Sequence, residues 1–379
     1  MSDAVEIVPV VSSAELDRFV RLPMRLNAHD PAWIAPLVME RKEALTPKTN
    51  PFFMHAEVQL WLARRTGRDV GRISAQIDRL APTDPAGEVG HFGLIAAEDD
   101  PAIFAALLGA AEGWLKARGR TIVRGPFNLS VNEETGLLVD GFDSPPMVMM
   151  GHDQPYVARR VEDQGYGKIK DVYAYIVDLD TDFPPKVRQR VNRPMPDGVR
   201  LRKLDFKRYD DDVRDMTDII NHGWAQNWGF TPITVEESRQ LAKSMKPVID
   251  ADMVWFAELD GRTVGFGVCL PNVNEAIADL NGQLLPFGWA KLLWRLKVTG
   301  VKTARVPLMG VRRDVARDFR AMLIPFLIID AMAREAKKKR IEKVEMSWIL
   351  EDNRPMRGII ESVNSARYKT YRIYEKALA

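Results

Sequence analysis

The sequence predicts an α/β protein, an α+β arrangement around a mixed sheet, built from two similar halves. Three observations carry that expectation. The chain has 379 residues, comfortable for two domains and long for one. Segments of two-residue apolar period alternate with segments of helical period in both halves. Between them the stretch from Asp180 to Val199 (DTDFPPKVRQRVNRPMPDGV) is rich in proline and poor in apolar periodicity, and it reads as a linker separating 1–182 from 183–379.

In the first half, SSAELDRFVRLPMRL places serines ahead of a helical pattern, an N-cap signal. VQLWLARR and VGRISAQID flank Gly67 as a hairpin, and GHFGLIAAE is a third strand. PAIFAALLGAAEGWLKARG is a helix with Pro101 in its first turn and Gly119 as its stop. TIVRGPFNL and VYAYIVDLD are further strands. In the second half VRLRKL is a strand and DDVRDMTDIINHGW a helix, and Thr234 with Glu237 has capping-box spacing for the next helix. MVWFAEL, the turn DGR and TVGFGVCL form a hairpin, and TARVPLMGV is a strand. A long helix is expected from Asp314 to Arg340, then a strand KVEMSWIL, a helix RPMRGIIESVN and a last strand YKTYRIYEK.

Composition excludes several classes. Hydrophobic residues are 46% and charged residues 28%, ordinary for a well-cored soluble protein, and the net charge of +2 gives no whole-molecule field for nucleic acid. Cys269 is the single cysteine, which rules out an internal disulfide and a multi-cysteine zinc site and fits a cytosolic location. The opening residues carry early acids and do not read as a secretory signal. No apolar run approaches the roughly 20 residues that span a bilayer. Walker, dinucleotide, metal-ligand and nucleophile-elbow motifs are lacking, so no metal is expected.

DGRTVGF (Asp260 to Phe266), its counterpart VGRI (Val70 to Ile73), the strand, basic loop and helix around Gly310 to Arg320, Asn353 after the next strand, and the terminal YRIYEK resemble the GNAT superfamily of acyl-CoA N-acyltransferases, twice in tandem. GPFNLSVNEETGLLVDGF, NHGWAQNWGFTPIT and YKTYRIYEK further resemble the bacterial ceramide synthase group. The resemblance implies two tandem GNAT-like domains that transfer a fatty acyl group from acyl-CoA to the amine of a sphingoid base. It also implies that the acyl carbonyl meets backbone N–H groups near Leu308, Gly310 and Val311, with Asn353 beside the cofactor. An acyl or aminoacyl transferase acting on a cell-wall precursor, and an acyl-CoA-binding protein without turnover, remain alternatives.

The window RRDVAR, Arg312 to Arg317, departs from the superfamily's pyrophosphate loop in having no glycine. Arginines at a helix N-terminus are unfavourable unless an anion docks there. Arg312, Arg313 and Arg317 are therefore candidate phosphate ligands, and their alternative is pairing with Asp314 and Asp318. The matching junction of the first half carries Glu98, Asp99 and Asp100, which would repel phosphate, so coenzyme A is expected in the second half alone.

For catalysis the candidates are His222, whose ordinary pKa suits a base, Glu351, and Tyr374 as an acid for the thiolate. Asn221, Trp224, Asn227, Trp228 and Phe230 look like acceptor-pocket residues of the group. In the first half Asn128, Ser130, Asn132 and Glu133 form a polar cluster after a strand. Finally, the insertion 280–305 interleaves Lys291, Arg295 and Lys297 with Leu284, Trp289, Leu293 and Trp294, the pattern of an amphipathic helix on a membrane surface through 284–297. The expected location is the cytoplasmic face of a bacterial inner membrane, as a peripheral protein.

Overall fold

The computed structural model describes residues 4–378. The chain opens with β1 (Glu6–Pro9), α1 (Ser13–Leu26), α2 (Val38–Ala44), the hairpin β2 (Ala56–Arg65) and β3 (Arg68–Asp78), and β4 (Val89–Ala97). Next come α3 (Pro101–Lys116), β5 (Ile122–Gly125), the short pair β6 (Phe127–Asn128) and β7 (Glu134–Thr135), β8 (Leu137–Asp140), α4 (Tyr156–Glu162) and β9 (Gly167–Asp178). They are followed by α5 (Pro185–Val191), β10 (Val199–Lys203), α6 (Tyr209–Gly223), α7 (Val235–Met245), and the hairpin β11 (Val254–Leu259) and β12 (Arg262–Pro271). The remainder is α8 (Val273–Ile277), α9 (Gly288–Trp294), β13 (Thr303–Val311), α10 (Ile324–Lys338), β14 (Lys343–Leu350), α11 (Arg354–Glu361) and β15 (Ala366–Ala377).

Local chemistry explains many of these limits. Ser12 with Glu15 and Thr234 with Glu237 form capping boxes that start α1 and α7. Both hairpins turn on two residues of positive φ, Thr66 and Gly67 at 48° and 80°, Asp260 and Gly261 at 51° and 82°. That geometry matches the twist of the flanking strands. Asp100 caps α3, and Gly119 at φ 75° follows its end.

Two compact units form, but not from two uninterrupted halves. The first holds the chain up to Val172, then Ile277–Gly288 and Lys369 onward; the second holds Tyr173–Ala276 and Trp289–Tyr368. The chain leaves the first unit within β9, ahead of the break expected after residue 182. The stretch expected to be a linker contains α5, because Pro184 and Pro185 suit a helix start, and its Val187 and Val191 are buried in the second unit's core.

In the first unit the strand order is β1-β2-β3-β4-β5-β15, with β8 also on β15. Pairings are antiparallel except β4 with β5, which α3 connects as a crossover. In the second unit the order is β14-β13-β12-β11-β10, and again one pairing is parallel, β13 with β14, across α10. The repeat read from sequence is therefore present: hairpin, third strand, long helix, parallel strand. The helix closing the second repeat lies tight on the sheet. A Cβ on Gly267 would sit 2.6 Å from Ile328 Cγ2 and 3.1 Å from Met332 Cε, so only glycine fits there.

Two helices are shorter than expected. Helix α10 begins at Ile324 rather than Asp314, and residues 313–315 and 321–323 are single 3₁₀ turns. The insertion yields only two turns of α-helix, α9, followed by a π-helical turn over Arg295–Thr299, and Leu285 and Phe287 precede the helix. Among the described residues no helix is long and apolar enough to cross a membrane.

Candidate active site

The chemistry of the second unit centres on the place where β13 and β14 part. Their parallel pairing runs from Thr303 opposite Lys343 to Val306 opposite Met346 and stops, although β13 continues to Val311 and β14 to Leu350. The register of β13 against β12 shifts at the same level. Leu308 faces Val268 but Arg305 faces Leu270, so β13 carries one extra residue between them. A bulge of this kind bends a strand, and Pro307 sits in it, where a missing N–H costs nothing.

Beyond the bulge the β14-side edge of β13 has no strand partner; the Arg312 N–H bonds to the Val264 carbonyl, so by alternation the N–H groups of Leu308 and Gly310 face β12 and those of Met309 and Val311 face the open edge. A cavity of about 940 Å³, part of it open to solvent, fills the opening. Its wall is mostly apolar, with Met309, Met332, Met346, Ile349 and Met356 prominent, and its polar side chains include Asn227, Ser347 and Asn353. Cys269 also lines it, but burial pushes that thiol up to about 12, so it is no nucleophile at neutral pH.

The two faces of the sheet carry different helices. Gly265 and Gly267 face α10, whereas a Cβ on Gly310 would lie 3.3 Å from Ile219 Cγ2 and 3.8 Å from Trp224 Nε1 on the α6 side. The cavity is lined from both: Ile329 and Met332 from α10, Trp224 and Asn227 from the end of α6 and the loop after it.

Trp224, Asn227 and Asn353 thus line the cavity together with Pro307 and Met309 of β13, whereas Leu308, Gly310 and Val311 are not in its lining. Asn353 also caps α11, its Oδ1 accepting from the Met356 N–H at 3.2 Å. Asn221 does not line the cavity. Its amide is a latch, donating to the Ile233 carbonyl at 3.0 Å and accepting from the Ile233 N–H at 2.9 Å. Trp228 and Phe230 are half-buried outside the lining. His222 lies in the last turn of α6 with its buried Nδ1 unpartnered, and Glu351 follows β14; neither lines the cavity. Tyr374 is a packing residue of the first unit. It is fully buried on β15, its hydroxyl donates to Glu162 at 2.9 Å, and burial pushes its pKa well up, so it lacks the role expected of an acid for the thiolate.

The basic loop is more occupied than expected. Arg312 pairs with Asp218 and at 3.3 Å with Asp314, and Arg320 pairs with Asp318 at 2.7 Å and Asp260 at 2.9 Å. Pairing with Asp314 and Asp318 is the alternative to phosphate binding; Asp218 on α6 and Asp260 in the β11–β12 turn add to it. Arg313 donates through Nε to the Gly223 carbonyl at 2.8 Å, leaving the rest of its guanidinium free to bond elsewhere. Arg317 is exposed and pairs with no acid among the described residues.

No protein-family model matches the chain. A curated relative from Caulobacter vibrioides, named bacterial ceramide synthase, is 60% identical over 375 residues, 99% of this chain and 98% of that protein. The chain belongs to the bacterial ceramide synthase family. Protein YghO of Escherichia coli is 44% identical over 365 residues, 96% of this chain and 93% of its own. Among solved structures, a tandem GNAT protein from the clavulanic acid biosynthesis pathway matches with TM-score 0.59 at 14% identity, covering 99% of both chains. A GCN5-related N-acetyltransferase from Sphaerobacter thermophilus matches at 0.51 and 12%, covering 100% of this chain and 97% of its own. These likenesses establish the tandem GNAT fold.

Within this ceramide synthase family member the first unit repeats the parting of strands and then fills it. Pairing of β4 with β5 ends at His91 opposite Arg124, and β4 bulges between Gly93 and Ala96. The Phe127 carbonyl occupies the gap, 1.8 Å from where a Cβ on Gly93 would stand. Gln76 holds that carbonyl at 2.6 Å and the Leu129 carbonyl at 3.1 Å. The amide of Leu94, inside the β4 bulge, is taken by Asn128 Oδ1 at 2.7 Å, and Asn128 Nδ2 donates to Glu134 at 2.8 Å. Glu134 in turn pairs with Arg41.

Asn128, expected to bind substrate, is therefore part of a plug. Asn132 and Glu133 sit in the adjoining turn, their amides bonded to Ser130 at 3.0 Å and 3.2 Å. The acids expected to guard this junction are engaged as well: Glu98 by Arg25 and Arg68, Asp99 by Arg160, Asp100 by Arg65.

Sequence reasoning missed Ser347, Pro307 and the buried charges Arg305 and Glu345. Proline inside TARVPLMGV was the available signal for a bulge. Charged residues at matched positions of two apolar strands were the signal for a buried pair.

Proposed function

We propose that this chain is a ceramide synthase that transfers a fatty acyl group from acyl-CoA to the amine of a sphingoid base. The observation that carries the reading is the largely apolar cavity at the parting of β13 and β14, lined by residues from the α6 side and from the α10 side. A thioester seated against the β13 edge would place its carbonyl oxygen on the edge-facing amides of Met309 and Val311. Those donors stabilise the oxyanion more than the ground-state carbonyl. The acyl chain has the methionines of the wall for company, flexible side chains that adapt to varied hydrocarbon. The coenzyme's phosphates fall to Arg313 and Arg317, the loop cations with donors to spare, and to Arg312 by exchange of its acids.

The amine enters beside Trp224 and Asn227. His222 is the proposed proton acceptor: its Nδ1 lacks a partner, and the end of α6 abuts β13, where Gly223 would meet the Val311 carbonyl at 3.2 Å if it bore a Cβ. Glu351 is the second candidate for that role.

The substrate is an amphiphile, and the segment 284–297 suits its delivery. Leu285 and Phe287 are 76% and 78% exposed, and Trp289, Trp294 and Val298 are more than half exposed, beside Lys291 and Lys297. Exposed tryptophan and leucine among lysines suit the bilayer interface, so the protein acts as a peripheral protein on an anionic membrane surface.

The test is turnover by purified protein. Acyl-CoA with a long-chain base should release free thiol and give an N-acyl product by mass spectrometry. Thiol release with a cell-wall amine alone would move the activity to that substrate, and tight acyl-CoA binding with no thiol release for any amine would reduce the protein to a carrier.

A further inference from the structure

One charged cluster remains unused by this scheme. Glu345 and Arg305 are buried to 0% and 3% exposure in the middle of strands β14 and β13, directly opposite one another. Taking two charges out of water is costly even when they pair, so their arrangement calls for a reason. Arg305 Nε lies 3.3 Å from Glu345 Oε1. The Ser347 hydroxyl donates to the same oxygen, and the Tyr368 hydroxyl donates to Oε2. Arg305 Nε also donates to Ser347 Oγ at 2.8 Å, and Arg305 Nη2 to the Ser347 carbonyl at 3.1 Å.

The face follows from register. The extra residue in β13 reverses its alternation, so Arg305 shares a side with Leu270, Val268 and Phe266, and hence with Gly310. That is the side of α6 and Trp224, opposite the side on which Gly267 meets α10. Glu345 opposes Arg305, and Ser347, two residues along β14, points the same way. The cluster stands one rung before the strands part, and Ser347 lines the cavity.

A serine hydroxyl has one proton and two lone pairs. Here the proton is committed to a buried carboxylate and one lone pair to a guanidinium. What remains is a single lone pair, on a residue that lines a largely apolar cavity. Such an oxygen accepts a hydrogen bond and cannot give one. The reacting end of a thioester has no donor to offer, whereas an amine has.

We infer that Ser347 Oγ accepts an N–H of the acceptor amine and so aims the nitrogen lone pair at the thioester carbon. Glu345, with Arg305, is the positioning residue that keeps the hydroxyl in its accepting rotamer. The inference rests on the acyltransferase reading above. Ser347 takes no proton in this role. Its bond to the nitrogen strengthens as the C–N bond forms and the nitrogen becomes positive, so the effect belongs to the transition state.

Ser347→Ala should lower kcat/KM for the amine roughly ten- to hundredfold, the usual worth of a bond to a charged group, with KM for acyl-CoA moved less than about twofold. Glu345→Gln should do the same, because its amide would donate to Ser347 and turn the hydroxyl into a donor. The double variant should be no worse than the more severe single one. Ser347→Thr, which keeps the oxygen, should recover most of the loss. On the wild-type protein, an analogue of the base with OH in place of NH2 should compete with the amine, and its methyl ether should inhibit roughly tenfold less.

Folded variants with wild-type amine kinetics, losses shared equally by acyl-CoA KM, additive losses in the double variant, or equal inhibition by alcohol and ether would each overturn the inference. The inhibitor pair decides it even if the variants do not fold. A wild-type protein that acylates no amine would instead overturn the functional reading, and this inference with it.

Discussion

Asn128 separates a structural role in the first unit from a substrate role, and replacing it with alanine tests which holds. Its Oδ1 is the partner of the Leu94 amide at 2.7 Å, and its Nδ2 reaches Glu134 at 2.8 Å. Leu94 is buried, so its N–H would be left without water or protein to bond; such orphaned donors cost about 1–3 kcal/mol. Glu134 keeps Arg41 and loses a further bond worth about 1 kcal/mol. Asn128→Ala should therefore destabilise the protein by roughly 2–4 kcal/mol, while KM for the amine and kcat change little below the melting range. Urea unfolding followed by steady-state kinetics at low temperature measures both. Calorimetric titration adds a third readout, since acyl-CoA should bind once per chain in the wild type and in the variant. A variant as stable as wild type but with a raised amine KM, or a second acyl-CoA bound per wild-type chain, would refute the plug.

Other expectations follow from the same structure. Burial lifts Asp153 from 3.8 to about 7, so between those pH values the folded state holds a proton that the unfolded state has released. Stability should fall as pH rises from about 4 to 7, by at most about 4 kcal/mol, and Asp153→Asn should flatten that slope in denaturant midpoints taken across pH; an unchanged slope removes Asp153 as its source. Arg317→Glu should weaken acyl-CoA binding by about tenfold in calorimetry without moving the melting temperature, because Arg317 has no acid partner among the described residues; unchanged affinity takes the phosphates away from this loop. Changing Trp289 and Trp294 together to Ala should reduce co-sedimentation with anionic vesicles and slow acylation of a vesicle-borne base but not of a water-soluble amine. Wild-type protein that stays in the supernatant at every salt concentration ends the membrane reading.

What was legible in the sequence is what local chemistry decides. The two-residue turns at Gly67 and Gly261, the capping boxes at Ser12 and Thr234, and helix α3 with Asp100 and Pro101 at its start all answer to neighbours a few residues away. The tandem repeat was legible for the same reason. The start of α10 was not, because residues 312–320 are held by acids distant in sequence, Asp218 and Asp260, and by Asp318 turning back on Arg320. The linker was misread because prolines favour a helix's first turn as much as a coil. Trp224, Asn227 and Asn353, which line the cavity, were singled out through resemblance. Ser347 could not be, since its meaning depends on which face of β14 it occupies, and a single extra residue in β13 decides how that face is matched.

The last strand gives the protein a biosynthetic constraint. β15 pairs with β5 through Tyr374 opposite Gly125 and Lys376 opposite Val123, inside a unit whose other strands are encoded before residue 173. A ribosome must add some two hundred residues after that point, about 10–40 s at ordinary rates of synthesis. Throughout that interval β5 presents an unpaired edge, the kind of surface on which nascent chains pair with one another. Splitting the gene between the halves would make the exposure permanent. The first half expressed alone would carry a vacant strand position, and adding a peptide of residues 366–379 in trans is the means to fill it.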